Sequence, residues 1–313
     1  MSPPLLRVRL CADYGKRSVL TDVQFDLYSG EALGMAGTSG AGKTTMVMAL
    51  LGLLPWRGGK ASGEVLIDGI NLLTMPSREA RKIRGKTIAL IPQSPMTALN
   101  AAVSLRSHFE EAWRAHESSG RPELESRLQH LMHEVQLPSS DPHFLSRKPG
   151  QISVGQAQRV LIALALLHRP SILIADEPTS ALDPVTQAEI ISLLRLLNRR
   201  NGTALLYISH DLVSVLQLCD RLAVLHLGAI AECLPVAQIE QARHPATLSL
   251  LGSLPVPVRV LLSHLETGVD SNEQIQSSLG RAEPVLNRLS GKVQDAEPLQ
   301  LSDFGSSFRG FQR

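Results

Sequence analysis

The sequence predicts an α/β domain built around a mainly parallel β-sheet, and three observations support this prediction. Short apolar runs alternate along the chain with segments whose apolar residues recur at helical spacing. The first buried run, residues 32–36, leads into a glycine-rich turn that opens a helix. The second, residues 171–175, ends in two carboxylates, and the carboxyl ends of parallel strands form the ligand crevice of such sheets.

The first third of the chain reads as β-structure interleaved with short helices. Residues 5–35 contain alternating apolar and polar side chains, which predicts strands of an N-terminal antiparallel β part. The next elements are predicted as a helix over 43–54, a loop over 57–63, a strand over 64–68, a helix over 76–86 and a strand over 87–91.

The middle of the chain is predicted to be helical. Leu128, Leu131 and Val135 recur at helix spacing, so residues from about 96 to 168 form an inserted helical block. Beyond it the sequence predicts a strand over 171–175, a helix over 185–200 and a strand over 204–208. We expect one domain over residues 1–257 and a weakly structured tail over 258–313, which begins with a short amphipathic piece and is rich in Ser, Gly, Gln and mixed charges.

Composition and charge exclude several classes of protein. The 313 residues carry 31 Lys and Arg against 29 Asp and Glu, and a net charge of +2 argues against a strongly polybasic nucleic-acid binder. Cys11, Cys219 and Cys233 stand far apart, which argues against a disulfide framework or a zinc ribbon and fits a reducing compartment. We expect no signal peptide, and no apolar run approaches the roughly 20 residues that a membrane-spanning helix needs.

A phosphate-binding loop is predicted at residues 37–44. Gly-Thr-Ser-Gly-Ala-Gly-Lys-Thr matches G-x-x-x-x-G-K-[ST] and stands between a strand and a helix, the context that this motif requires. Glycines let backbone N–H groups turn toward an anion, and the helix N-terminus adds a partial positive charge. Lys43 would reach the β- and γ-phosphates, and the Thr44 hydroxyl would bind Mg²⁺. A plain glycine turn before a helix is the alternative.

The two carboxylates after the strand over 171–175 are candidate catalytic groups. Asp176 would hold Mg²⁺ through water, and Glu177 would act on the attacking water as general base or as a positioning group. An Asp-Glu pair at a strand end is commonly a solvated turn. Here the pair follows a phosphate loop on the same predicted sheet, which favours the catalytic interpretation.

Further motifs, in a fixed order, complete a family pattern. They are Tyr14 upstream of the phosphate loop, Gln93 in Ile-Pro-Gln-Ser-Pro, the segment Ile152–Gln156, Asp183 in Ser-Ala-Leu-Asp, and His210 in Ser-His-Asp. Together with the loop and the carboxylates, they make residues 5–252 resemble the nucleotide-binding subunit of an ATP-binding-cassette (ABC) transporter. The resemblance implies a P-loop NTPase cassette with an inserted helical subdomain, ATP and Mg²⁺ as its ligands, and ATP hydrolysis as its activity.

The resemblance also implies a role for each motif. Tyr14 would stack on adenine, Gln93 would contact Mg²⁺ or water, and His210 would lie near the γ-phosphate. The residues that would face the ATP of a second cassette are Ser153, Gly155, Gln156 and Asp183. The residues that would surround the chain's own nucleotide are Gly37, Thr38, Ser39, Gly40, Ala41, Gly42, Lys43, Thr44 and Thr45. Alternatives stay open: a strand-edge aromatic for Tyr14, a polar loop residue for Gln93 and a helix cap for His210.

One position departs from the family pattern. Between Ser153 and Gly155, where the family has a glycine, this chain has Val154. A positive φ would be costly for valine, and its isopropyl group adds bulk beside a phosphate. We therefore expect the composite site that uses this segment to be slower or looser than usual, and still active.

Two more segments narrow the resemblance. Ser94–Asn100 and His244–Thr247 resemble the subfamily that imports oligopeptides, dipeptides, nickel or metal–opine chelates, although Ala101 and Ala246 stand where that subfamily has proline and tyrosine. The implied partners are integral membrane permease subunits, a second ATP-binding cassette in a homo- or heterodimer and, indirectly, an extracytoplasmic solute-binding protein, with no nucleic acid. The implied location is peripheral, on the cytoplasmic face of the inner membrane.

Two other classes of function stay open. A non-transport ABC ATPase that acts on nucleic acid or ribosomes would ordinarily carry coiled-coil, zinc or second-cassette insertions, which the sequence lacks. A regulatory nucleotide-binding module, in which hydrolysis is incidental, is indicated only by Val154.

Overall fold

A computed structural model describes residues 3–38, 40–117 and 120–254 of the chain. They belong to one compact unit, Met1–Leu254, whereas the tail predicted over 258–313 and its amphipathic start lie outside the described residues. The strands are β1 (Leu6–Tyr14), β2 (Arg17–Leu27), β3 (Ala32–Ala36), β4 (Lys60–Ile67), β5 (Ile70–Asn71), β6 (Ile88–Ile91), β7 (Ile172–Asp176), β8 (Ala204–Ile208), β9 (Arg221–His226) and β10 (Ala229–Pro235). The helices are α1 (Lys43–Leu50), α2 (Ser77–Ile83), α3 (Pro95–Ala98), α4 (Leu105–Arg114), α5 (Arg121–Glu134), α6 (Val154–Leu166), α7 (Pro184–Asn201), α8 (Leu212–Leu218) and α9 (Pro245–Gly252).

These strands form one sheet with a parallel half and an antiparallel half. The strand order is β5-β4-β1-β2-β10-β9-β3-β8-β7-β6. Strands β9, β3, β8, β7 and β6 pair in parallel with one another in that order. Every residue of β3 and β8 is buried, as is typical of parallel strands covered on both faces. In the other half, β1 pairs antiparallel with β2 and β4. The predicted α/β fold with an N-terminal antiparallel β part is confirmed.

Two predicted boundaries near the N-terminal end are wrong. The loop expected over 57–63 already becomes a strand at Lys60, because β4 pairs with β1 along its whole length. Gly63 adopts φ +103°, and a Cβ there would lie 2.1 Å from the carbonyl oxygen of Arg9, so this glycine serves strand pairing and not a loop. The helix expected over 43–54 ends at Leu50, and a 3₁₀ turn over Leu54–Arg57 follows.

The block predicted over 96–168 is helical, and two arginines join its helices to one another and to α7. Arg127 on α5 donates a hydrogen bond of 2.6 Å to the carbonyl oxygen of Leu166, the last residue of α6. Arg159 on α6 is buried and donates at 2.8 Å to the carboxylate of Glu189 on α7. A guanidinium on the orphan carbonyls of a helix end satisfies groups that would otherwise lack partners.

The elements after β8 complete the sheet. Strands β9 and β10 form an antiparallel hairpin, and Ala229 of β10 pairs with Asp22 of β2, which joins the two halves of the sheet. Neither strand was predicted from the sequence. In β10 the apolar residues do not alternate with polar ones, and Glu232, Cys233 and Pro235 lie in a strand that is partly exposed along its length. Within the described residues, none of the helices has both the length and the apolar character that crossing a bilayer requires.

Candidate nucleotide-binding and hydrolysis site

The residues predicted to bind phosphate form the connection between β3 and α1. A Cβ on Gly37 would lie 2.5 Å from the carbonyl oxygen of Leu225 on β9, so the neighbouring strand leaves room only for glycine. Gly40 and Gly42 adopt φ values of 80° and 105°, which residues with a Cβ rarely adopt. Ser39 lies outside the described residues. Glycine is therefore required at three positions of this loop.

The N-terminus of α1 presents backbone N–H groups beside the loop. Gly42 is the N-cap and contributes no side-chain cap, and the first turn holds no acidic residue. The first hydrogen bond of the helix runs from Met46 N to Gly42 O at 2.8 Å, which leaves the N–H groups of residues 43–45 without a helical partner. Thr44 is exposed. N–H groups and a hydroxyl in this arrangement suit an anion such as a phosphate.

Lys43 is buried, and its ammonium group lies against the phosphate loop. Nζ donates to the carbonyl oxygens of Gly37 at 2.8 Å and of Thr38 at 3.2 Å, and it lies 4.0 Å from Oε1 of Glu177. These oxygens replace the water that a buried ammonium loses. The loop therefore carries a fixed positive charge at the place where terminal phosphates would bind.

Three side chains predicted to be catalytic converge on the carboxylate of Glu177. Gln93 Nε2 donates to Oε2 at 2.9 Å, His210 Nδ1 lies 3.2 Å from Oε1, and Lys43 Nζ lies 4.0 Å from the same oxygen. Gln93, Glu177 and His210 follow β6, β7 and β8, which are neighbours in the sheet, so their side chains meet at one edge. We call these four residues the Glu177 cluster.

The helix-cap alternative that the sequence left open for His210 is wrong. The cap of α8 is Asp211, whose Oδ1 accepts from Val213 N at 3.1 Å, so His210 is not a helix cap. The side chain of Gln93 lies in a loop and is hydrogen-bonded to Glu177. Glu177 itself adopts φ +46°, a strained conformation for a residue with a Cβ, and strain of this kind concentrates at functional sites.

Asp176, the last residue of β7, is an electrostatically strained carboxylate. Burial and, to a lesser degree, the neighbouring Glu177 carboxylate raise the pKa of its carboxyl group from 3.8 to about 6, although the Lys43 ammonium acts in the opposite direction. A carboxylate whose ionised form is disfavoured in this way gains from a bound cation. The residues predicted to bind Mg²⁺, Thr44, Gln93 and Asp176, carry hydroxyl, amide and carboxylate oxygens, which are the donor types that this cation prefers.

The remaining predicted site residues form a second group, which we call the signature group. Its members are Ser153, Gly155, Gln156 and Asp183. Ser153 caps α6, since its Oγ accepts from Gln156 N and the Gln156 side chain accepts from Ser153 N, both at 3.1 Å. Asp183 caps α7, and hydrogen bonds from Thr186 hold the pKa of its carboxyl group below its usual value. Both caps are exposed, so this face is available to another chain.

Gly155 and Val154 lie at the start of α6, close to α7. A Cβ on Gly155 would lie 2.7 Å from Cγ2 of Thr186, so the glycine permits the two helix starts to approach. The concern that Val154 would need a positive φ is wrong: it is the first residue of α6 and is absent from the residues with positive φ. Because its backbone is not strained, Val154 differs from glycine here only by the bulk of its isopropyl group. The residue is 40% exposed.

The two groups occupy separate places in one chain. Within residues 3–38, 40–117 and 120–254, no hydrogen bond or ion pair joins the signature group to the Glu177 cluster. Tyr14, at the end of β1, packs against the hydrophobic core. One chain thus carries a phosphate loop with the side chains predicted to be catalytic and, elsewhere, a face whose predicted ligand belongs to a second chain.

Four buried hydroxyl groups beside the cluster were not predicted. Thr179, Tyr207, Ser209 and Ser214 are each less than a tenth exposed, and their hydroxyls bond to one another. Such residues are individually unremarkable in a sequence. The one available signal was Tyr207, a polar tip within the otherwise aliphatic run over 204–208.

Comparison with known proteins supplies the family. Residues 20–180 match the family model described as ABC transporter. The chain belongs to the ABC transporter family. This ABC chain is 36% identical over 251 residues to the oligopeptide transport ATP-binding protein OppD of Escherichia coli (strain K12), covering 80% of the chain and 74% of OppD. It is 39% identical over 248 residues to the probable peptide ABC transporter ATP-binding protein y4tR of Sinorhizobium fredii (strain NBRC 101917 / NGR234), covering 77% and 73% respectively.

A solved ABC structure shares the fold. The ATP-binding cassette MJ0796, in a dimeric post-hydrolysis state bound to ADP and Pi, superposes with a TM-score of 0.64 at 27% identity. The match covers 74% of this chain and 98% of that one. This ABC chain therefore shares the fold of MJ0796, whose own structure is dimeric and bound to ADP and Pi.

Proposed function

We propose that this ABC chain is the ATP-hydrolysing subunit of a membrane import complex whose cargo is peptides. The observation that carries the proposal is the convergence of Lys43, Gln93 and His210 on Glu177 beside the phosphate loop. The names of OppD and y4tR, both peptide transport ATP-binding proteins, support the cargo class. Nickel or metal chelates are the finer alternative within the subfamily that the sequence resembles.

The phosphate loop and α1 bind the nucleotide in this proposal. The N–H groups of residues 40–45 and the Lys43 ammonium hold the β- and γ-phosphates, and Tyr14 stacks on adenine. Thr44, Gln93 and Asp176 would hold Mg²⁺, which supplies charge neutralisation on the phosphates when it is bound. The raised pKa of Asp176 supports this assignment, because a nearby cation restores the carboxylate to its ionised form.

Glu177 acts on the water that attacks the γ-phosphate. Its carboxylate accepts a hydrogen bond from that water and aligns it with the bond that breaks, either taking the proton or only positioning the molecule. Gln93 contacts one oxygen of this carboxylate and His210 contacts the other. The carboxylate therefore does not rotate freely. Most of the rate enhancement then comes from positioning and from charge stabilisation by Lys43.

A second cassette completes the site. The signature group, with Ser153 and Asp183 exposed at helix N-termini, faces the γ-phosphate bound by that second chain, and the arrangement repeats about a two-fold axis. The partner is a copy of this chain or a related one. Permease subunits span the membrane, this chain binds them from the cytoplasmic face, and an extracytoplasmic binding protein delivers the cargo.

The test is ATP-driven uptake by the assembled complex. The full chain is co-expressed and purified with its membrane partners, reconstituted into liposomes and supplied with a labelled peptide and Mg-ATP. Peptide accumulation and phosphate release should both occur, and both should fall about 100-fold or more in Glu177→Gln, while Glu64→Gln, an exposed carboxylate on β4, should match the wild type. The transport assignment would be contradicted if the chain hydrolysed ATP but bound no membrane partner, and also if the assembled complex hydrolysed ATP without taking up peptide.

A further inference from the structure

A chain of buried hydroxyl groups links the two loops that carry Glu177 and His210. Thr179 stands two residues after Glu177, and its Oγ1 lies 3.4 Å from the hydroxyl oxygen of Tyr207. That hydroxyl donates to Ser214 Oγ at 3.1 Å, on the helix that follows His210. Tyr207 is fully buried. The contact therefore joins the two loops inside the core, away from solvent.

The direction of these hydrogen bonds follows from the number of protons. Ser214 Oγ donates to the carbonyl oxygen of Asp211 at 2.7 Å, the shortest bond of the set. Since a hydroxyl carries one proton, Ser214 accepts from Tyr207, and Tyr207 in turn accepts from Thr179. The result is one directed chain that begins in the Glu177 loop and ends on the backbone of the residue after His210.

The same two loops also meet at their functional ends. His210 Nδ1 lies 3.2 Å from Oε1 of Glu177, and Glu177 N donates to the carbonyl oxygen of Ile208 at 2.8 Å. The φ of +46° at Glu177 is a strained conformation, and such a conformation persists only when the surrounding contacts enforce it. The hydroxyl chain is one such set of contacts.

We propose that Tyr207 is a positioning residue for ATP hydrolysis, whose hydroxyl keeps the Glu177 and His210 loops in fixed register. Tyr207 acts through those two side chains and contacts no ligand itself. The inference rests on the proposed function, because it assumes that Glu177 acts on the attacking water. Loss of the hydroxyl leaves Thr179 without an acceptor and leaves Ser214 to accept only across the longer contact with Ser209 Oγ, at 3.4 Å. The two loops then lose their alignment.

The first test is Tyr207→Phe in the full chain assembled with its membrane partners. We expect kcat for ATP hydrolysis to fall about five- to tenfold, the effect of one buried hydrogen bond, with KM and the Kd for Mg-ATP within about twofold of the wild type. The matched control is Tyr28→Phe, at a partly buried tyrosine outside the hydroxyl chain, which should leave all three constants unchanged.

A second pair of variants separates positioning from packing. Thr179→Val keeps the volume and loses the hydroxyl, so its kcat should fall in the same way, while Thr179→Ser should restore it. In a His210→Ala background, Tyr207→Phe should lower the single-turnover rate little further, because one of the two groups that it aligns is gone. Thermal unfolding of each variant identifies any that lose the fold.

The outcomes distinguish this inference from the proposed function. If the wild-type complex hydrolyses ATP and Tyr207→Phe hydrolyses it at the same kcat, the inference is wrong and the proposed function stands. Equal losses in Thr179→Val and Thr179→Ser, or a KM that rises in proportion as kcat falls, would also overturn it. A wild-type complex that binds Mg-ATP and never hydrolyses it would end the proposed function and this inference together.

Discussion

Replacing Asp176 by asparagine should stabilise the nucleotide-free protein. Burial and the neighbouring Glu177 carboxylate raise the pKa of Asp176 from 3.8 to about 6, so the ionised form is disfavoured in the folded state. A shift of this size corresponds to at most about 3 kcal/mol, and exposure of part of the carboxylate reduces it to roughly 2 kcal/mol. Asparagine has the same shape and carries no charge to desolvate.

The sign of the pH dependence follows from proton linkage. Between about pH 4 and pH 6 the folded carboxyl group holds a proton that the unfolded chain has already released, so this group's contribution to stability falls as pH rises. That contribution is fully present below about pH 4 and lost above about pH 6. The free energy of unfolding of Asp176→Asn should therefore match the wild type near pH 4 and exceed it by roughly 2 kcal/mol at pH 8, a difference of about 4–8 °C in Tm.

The assay is thermal unfolding of the full chain without nucleotide or divalent cation, from pH 4 to pH 8. Asp183→Asn is the matched control with the opposite sign, since hydrogen bonds from Thr186 lower the pKa of Asp183 and the charge caps α7. That variant should be less stable than the wild type at pH 8. Mg-ATP should stabilise the wild type more than Asp176→Asn. A variant no more stable than the wild type at pH 8 would refute the strained-carboxylate interpretation of Asp176.

Two further predictions concern the face offered to the second cassette. Val154→Gly should raise the ATPase turnover of the assembled complex, because the change removes an isopropyl group from beside the phosphate of the second cassette. Val154 is 40% exposed on this face. Unchanged turnover would show that the bulk of Val154 does not slow the composite site. Gly155→Ala should lower turnover, because its Cβ would lie 2.7 Å from Cγ2 of Thr186. Adding Thr186→Ser to Gly155→Ala should restore turnover, because serine lacks Cγ2 and keeps the hydroxyl that bonds to Asp183. A double variant as slow as Gly155→Ala would exclude this contact as the cause.

The features that sequence predicted well depend on local spacing or on strand order. Glycine at positions 40 and 42 of the phosphate loop is a local requirement, because both residues adopt a positive φ. The motif spacing also gave Gly37, although what requires glycine there is the distant carbonyl oxygen of Leu225. The meeting of Gln93, Glu177 and His210 follows once their three strands are placed side by side in a parallel sheet, because residues after neighbouring parallel strands share an edge. The order of the motifs along the chain was therefore enough to predict that these three residues belong to one site.

The features that sequence missed depend on contacts between distant segments. Gly63 looked like a loop residue, and only its close approach to Arg9 on β1 explains why it lies in a strand. The role of Gly155 in bringing α6 against Thr186 is equally invisible without the packing of the two helices. Tyr207 belongs to no motif, because the positioning role proposed for it depends on where Thr179 and Ser214 come to lie.

The most direct test of the account is equilibrium binding of Mg-ATP to the full chain, with Lys43→Ala beside the wild type. The ammonium of Lys43 lies against the carbonyl oxygens of the loop, so its loss should weaken binding about tenfold or more. Saturable binding by the wild type and this loss in the variant are the predicted results. A wild-type chain that fails to bind Mg-ATP, alone and assembled with its partners, or a variant that binds it equally well, would contradict the claim that residues 37–45 hold the nucleotide's phosphates.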